Sequence, residues 1–357
     1  MRLISCLIIC FLVLSIKADE VTEEEVRMAY DSYVEKFKNP GNPTKYALTN
    51  VNGFWQTAEI SEMFVDAYER FEDDVSKKNM IDIIDSWLDS QGEDWSKNKY
   101  NDDIMWACIM LVRTYLHTNI ERYLEIAKKN YQVVYDRAWN DLYGGGLIWY
   151  QGKTSKNACV NGPGAIASCF LAIATGDDSY YEKADAMVKW LNDVLVQDDG
   201  GVWDNIDWDA ENEKYKYNTW ISTYNQGTYL GACKMLYEHN HNITYLEWAK
   251  KAAERATKIE AILNVETNGN DLIGFKGILA RWLGKLVTDF DIDSYDEWMA
   301  NNARSAWENR NSEDLMWTKF GEKTEENIEN STEDNKRTQT AWGCSAAVSW
   351  LVNCGAL

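Results

Sequence analysis

Gly164-Ala165-Ile166-Ala167-Ser168-Cys169-Phe170-Leu171-Ala172 is small or apolar on every side, whereas Glu121-Arg122-Tyr123-Leu124-Glu125-Ile126-Ala127-Lys128-Lys129 carries a charged face and an apolar one. A helix that is apolar all round is buried, and an amphipathic one lies at a surface. The same contrast recurs along the chain. Helical periodicity predicts segments at 22–37, 54–73, 76–91, 101–118, 121–138 and 163–175. It continues at 179–195, 222–239, 243–262, 275–288, 293–308 and 338–352, with no run of strands. The even helices are the apolar ones, as Gly227-Thr228-Tyr229-Leu230-Gly231-Ala232 repeats. Connections after the even helices are tight, as at Asn119-Ile120, and those after the odd ones are long, the largest near 139–162, 196–221 and 309–337. Short loops join antiparallel neighbours, so the long loops gather at one end. Six inner helices ringed by six outer ones make an all-α (α/α)6 toroid, read as one domain over 19–357.

Composition narrows the function. The chain has 357 residues, 45% of them apolar, which is enough for a large core and excludes intrinsic disorder. A net charge of −21 repels phosphate backbones and anionic head groups, so nucleic acid and acidic membranes are poor partners. Arg2 followed by Leu3 to Leu14 and a small residue at Ala18 describes a secretory signal peptide over 1–18. Its removal takes Arg2 and Lys17 away, which leaves the mature chain still more acidic. Sequons at Asn242 and Asn330 fit a secreted glycoprotein, and the C-terminus lacks a lipid-anchor signal. The mature protein is expected to be an extracellular, soluble monomer. Of the six cysteines that remain, Cys108, Cys169 and Cys233 sit in apolar helices as buried thiols, and Cys344 could bridge Cys354.

Several chemistries fall away. Gly152-Lys153-Thr154 lacks the first glycine of a phosphate loop, since Leu147 stands there. Only His117, His239 and His241 occur, at predicted helix ends, and no zinc pattern is present. The acidic stretch Asp198 to Asp209 fails the calcium-loop spacing and reads as a solvated loop. No metal or cofactor is therefore expected. What remains is Tyr100-Asn101-Asp102-Asp103-Ile104-Met105-Trp106, two adjacent carboxylates opening an inner helix at the long-loop end. Acids in a first turn commonly serve only as caps or dipole partners. Two facing a cavity would instead repel, one protonated and one ionised, which is the division of labour that glycoside cleavage needs. Tyr100 and Trp106 would offer stacking surfaces. Gly144-Gly145-Gly146-Leu147-Ile148-Trp149-Tyr150, with glycines that let backbone approach a ligand, belongs to the same end. So do Lys156-Asn157-Ala158-Cys159-Val160-Asn161-Gly162 and Thr223-Tyr224-Asn225-Gln226-Gly227.

Asn-Asp-Asp-x-x-Trp at 101–106, Gly-Gly-Gly-x-x-Trp at 144–149 and Lys-Asn-x-x-x-Asn-Gly at 156–162 are followed by Tyr-Asn-Gln-Gly at 224–227 and Phe-Lys-Gly-Ile-x-x-Arg at 275–281. In that order, over roughly 50–350, they resemble glycoside hydrolase family 76. The resemblance implies a retaining endo-α-1,6-mannanase acting on mannan or mannooligosaccharide, or a cell-wall transglycosidase in which a sugar hydroxyl replaces water. It implies Asp102 as nucleophile and Asp103 as general acid/base, with Asn101, Trp149, Asn161, Tyr224, Asn225 and Lys276 near the sugar. A non-catalytic carbohydrate-binding protein is the competing class, against which the intact aspartate pair speaks.

Overall fold

The structure is a computed structural model that describes residues 20–38, 53–269, 271–326 and 340–355; the signal segment and the Asn330 sequon lie outside these. Twelve α-helices occur among the described residues: α1 (Glu23–Phe37), α2 (Phe54–Phe71), α3 (Asp74–Gln91), α4 (Asn101–Thr118), α5 (Glu121–Ala138) and α6 (Ala158–Thr175). They continue as α7 (Ser179–Val194), α8 (Thr223–Asn240), α9 (Ile243–Thr257), α10 (Phe275–Phe290), α11 (Asp296–Glu308) and α12 (Ala341–Cys354). Polar side chains start several of them, as Thr22 and Glu25 form a reciprocal capping box on α1 and Asp73 accepts from Ser76 N at 2.7 Å on α3.

Helices α2, α4, α6, α8, α10 and α12 contact one another in sequence, and α12 returns to α2, so the inner ring closes. Each odd helix packs outside, α5 on α4, α7 on α6 and α9 on α8, and a single contiguous apolar core runs through both layers. Every tight turn from inner to outer helix ends alike. Glu72, Asn119, Gly176, His241 and Asp291 each take the left-handed conformation at the C-cap, and the N–H of each reaches a carbonyl four residues back. One local geometry, used five times, reverses the chain within a few residues. The six inner helices therefore run the same way, with their N-termini, the positive ends of their dipoles, at the long-loop end.

Three expectations change. Helix α6 begins at Ala158 rather than at Pro163, so the proline lies in its second turn and costs the bond to the Cys159 carbonyl. Asp198 and Asp199 stay in an exposed turn, but the rest of the acidic stretch is not a solvated loop. It forms β2 (Trp203–Asp209), paired antiparallel with β3 (Lys214–Ile221) on one side and with β1 (Lys156–Asn157) on the other. This three-stranded sheet sits among the long connections. Cys344 and Cys354 are separate buried thiols, as are Cys108, Cys159, Cys169 and Cys233. Ten residues along one helix place Cys344 and Cys354 about 15 Å apart, too far for a bridge.

Candidate active site

Asp102 and Asp103 occupy the first turn of α4, at the end where the inner dipoles converge. The preceding loop and the loop after α5 hold them there. Arg137 donates from Nε to Asn101 Oδ1 at 2.7 Å and from Nη2 to the Asn98 carbonyl at 2.6 Å. Asn101 in turn binds the second loop, with its backbone N–H on the Trp149 carbonyl at 2.9 Å and its amide on the Ile148 carbonyl at 2.8 Å. This brings the Trp149 indole N–H to Asp102 Oδ2 at 2.9 Å. The Cys159 thiol reaches the same oxygen at 3.5 Å, and Asn98 donates its amide to Asp103 Oδ2 at 2.9 Å. Asp102 Oδ1 is buried and has no partner among the described residues.

Burial raises both carboxyls. Asp102 is pushed up to about 8 by burial and then by the neighbouring Asp103 charge, against the Trp149 and Cys159 donors. Asp103 rises to about 6, chiefly by burial, with Asp271 adding to it and Asn98 opposing it. The pair shares a single proton between those values. One acid and one anion side by side is the state that sugar transfer requires.

The opposite wall is aromatic. Tyr224, at the start of α8, stacks on Phe275 with centroids 3.8 Å apart and faces Trp106 at 6.4 Å. Asn225 donates to Asp204 Oδ1 at 3.4 Å, while Asn205 and Asn218 donate to the other oxygen at 2.7 and 2.9 Å. Burial raises the Asp204 carboxyl. Asn225 Oδ1 is buried without a partner among the described residues.

The expected site residues thus separate into two groups. Asp102, Asp103, Trp149, Tyr224 and Asn225 come together. Asn101, Asn161, Lys276 and Trp106 are spent on the scaffold. Asn161 accepts from Leu147 N at 2.7 Å and donates to the Leu147 and Asn157 carbonyls, which uses up its amide. Lys276 is fully buried, donates to the Val265 carbonyl at 2.7 Å and lies over the Phe320 ring. Trp106 is 1% exposed, which leaves no face for a sugar. The triple glycine likewise serves packing, since a Cβ on Gly146 would stand 2.5 Å from the Trp190 ring. Sequence reasoning missed Asn98 and Arg137 and gave the Cys159 thiol no role, while Asp204 stood only as one acid of the stretch Asp198 to Asp209. Only the Asn98-x-x-Asn101 spacing before the aspartates hinted at the first.

The model of glycosyl hydrolase family 76 matches residues 16–348. Among solved structures, the GH76A α-1,6-mannanase from Salegentibacter sp. HEL1_6 is 26% identical, with a TM-score of 0.78 over 92% of this chain and 98% of that one. An inactive variant of that enzyme, two consecutive aspartates replaced by asparagine, is in complex with α-1,6-mannotriose. The Lin0763 protein from Listeria innocua is 27% identical, with a TM-score of 0.78 over 92% of this chain and 96% of that one. The Saccharomyces cerevisiae mannan endo-1,6-alpha-mannosidase DCW1 is 25% identical over 301 residues, 72% of this chain and 66% of that protein. The chain spans about a third to two thirds of the length of the curated relatives it matches.

Proposed function

Because the chain belongs to glycosyl hydrolase family 76, we propose that it is a secreted, monomeric endo-α-1,6-mannanase that hydrolyses mannan with retention, by double displacement. The observation that carries this reading is the Asp102–Asp103 pair, two consecutive carboxyls sharing one proton at the mouth of the ring. Consecutive residues are tied by one peptide unit. Their carboxyls can span about 5–5.5 Å, the retaining distance, more readily than the wider gap that an inverting water needs. The relative inactivated at two consecutive aspartates supports the same assignment.

In the first step the Asp102 carboxylate attacks the anomeric carbon. The glycosidic bond breaks, and Asp103 gives its proton to the leaving oxygen. In the second, Asp103 takes a proton from water, the water oxygen attacks the anomeric carbon, and the ester bond returns its electron pair to Asp102. In the free protein the two raised carboxyls titrate as a pair and hold one proton between them. The attacking form is reached when that proton lies on Asp103. Trp149 and Cys159 both favour it, because each donates to the Asp102 charge.

The test is release of reducing ends from linear α-1,6-mannan, with α-1,2- and α-1,3-linked mannooligosaccharides as controls. Early product followed by NMR should be the α-anomer. Initial β-anomer would exclude double displacement at these aspartates. Longer oligosaccharides without new reducing ends would instead mark transfer to a sugar hydroxyl.

A further inference from the structure

The β2–β3 hairpin has two unlike faces. Residues directly opposite in an antiparallel pair share a face. Asp209 opposes Lys214 and Asp207 opposes Lys216, so one face is charged. Trp208 opposes Tyr215 and Ile206 opposes Tyr217, so the other is aromatic. Ile206 is buried, and the rings on that face are open to solvent: Tyr215 is 57% exposed, Trp208 45% and Tyr217 40%. With Tyr100 and Trp220 these make up every large exposed aromatic among the described residues, and all five lie at the long-loop end. Apolar side chains scattered singly over a surface are ordinary, whereas a cluster marks a contact or ligand site.

The rings are also held in place. Trp208 meets Tyr215 edge-on at 5.7 Å, and Tyr143, from the loop after α5, meets Tyr215 at 5.6 Å and 89°. Trp203 meets Tyr217 at 5.4 Å, and Thr154 ties the hairpin to the same loop through Asp207 at 2.7 Å. The strip leads into the site. Asp204, at the inner end of β2, is bound by Asn225 next to Tyr224, and four residues of strand carry the chain about 13 Å outward to Trp208.

We propose that Trp208, Tyr215 and Tyr217 form an accessory platform that holds a polysaccharide chain beyond the catalytic cleft. Its ligand is a neutral α-mannan chain, so it rests on the function proposed above. The occupant follows from chemistry on the face itself. The exposed rings are Trp and Tyr, each with a polar edge and a flat face. The net charge of −21 disfavours an anionic membrane. The cleft to which the strip leads is the place from which a chain would emerge.

The experiment compares kcat/KM on long linear α-1,6-mannan and on a short α-1,6-mannotetraoside, using the full chain and its Trp208→Ala/Tyr215→Ala variant. Loss of two stacking rings should lower the polymer value about tenfold and leave the short-substrate value within about twofold. Tyr215→Phe, which keeps the ring, should match the parent. An equal fall on both substrates would overturn the platform, because the hairpin would then act by holding Asp204. No fall on either would overturn it as well. So would a variant that changes sedimentation but not the substrate ratio, since the face would then be a contact between copies. A parent inactive on both substrates would defeat the functional reading alone. Retardation in native gels cast with α-mannan, with and without the two rings, would then still decide the platform.

Discussion

The indole N–H of Trp149 donates to Asp102 Oδ2 across 2.9 Å, from the loop after α5 to the first turn of α4. It is a neutral donor aimed at the carboxyl that must become an anion and then a leaving group. Trp149→Phe keeps an aromatic ring beside Tyr100 and Tyr150 and removes this bond together with the second ring of the indole. A hydrogen bond to a charged group contributes ~1.5–3 kcal/mol, so kcat should fall about 10- to 100-fold. The acid limb of the pH profile should move upward, since a donor that favours the ionised form is gone. Unchanged turnover would remove Trp149 from the mechanism.

Asp102→Asn and Asp103→Asn should each lower turnover by about three orders of magnitude or more, because both act in one covalent sequence. A slow fluorinated mannoside should label Asp102, and peptide mass spectrometry locates the ester. Thermal unfolding should change little, as an N-terminal acid contributes at most about 1–2 kcal/mol. Label on Asp103 instead would exchange the two roles.

The pair also sets the pH response. Activity needs one proton on two carboxyls raised to about 6 and about 8. Below about 6 both are protonated and the nucleophile is lost; above about 8 both are ionised and the acid is lost. The profile of kcat/KM should therefore be a bell with its maximum near neutrality. A plateau extending well below pH 5 would contradict the burial that raises the pair.

Much of the ring was legible because burial writes itself into composition. The all-round apolar run at Gly164 to Ala172 and the one-sided run at Glu121 to Lys129 can only occupy different layers. The hairpin was not, because its alternating runs, Ile206-Asp207-Trp208-Asp209 and Tyr215-Lys216-Tyr217, are only three or four residues long, and Asp204 breaks the pattern at the start of β2. The aspartate pair was legible as chemistry. Its neighbours were legible only as residue types, since sequence does not say whether Asn161 or Lys276 faces a sugar or a backbone carbonyl.

That distinction is testable at Lys276. Burial holds its ammonium down, to about 7, against the pull of Glu266 and Glu260. Lys276→Met deletes its bond to the Val265 carbonyl and leaves Glu266 without its buried cation. Stability should drop by about 1–3 kcal/mol in denaturant titration, while KM for mannooligosaccharide stays within about twofold. A large rise in KM with unchanged stability would return Lys276 to the cleft.

A buried ion network closes the ring below the site. Glu59, Glu62, Asp66 and Glu69 lie along one face of α2, and α4 and α10 bring Arg113 and Arg281 to them. Arg113 binds Glu62 at 2.8 Å, Asp66 at 2.6 Å and Glu69 at 2.9 Å, and is 1% exposed. Eleven residues of α4 separate it from Asp102, about 16 Å along the axis, so its loss should not touch the chemistry directly. Burial works against ionisation of Asp66 and Glu69, yet the guanidinium groups and Lys285 prevail and hold both below the usual carboxylate range. Depressed carboxyls contribute stability above their unfolded values near 4, and that stability is lost as pH falls through the folded values. Arg113→Met should leave only Arg281 and Lys285 to balance these four acids, lower stability by about 3–5 kcal/mol at neutral pH and move acid unfolding to higher pH. Adding Asp66→Asn should recover part of the loss, because the uncompensated charge goes with it. Calorimetric unfolding of the parent, the single variant and the double variant across pH 3–8 measures this. A single variant within about 1 kcal/mol of the parent would show that packing, not this network, holds the inner ring together.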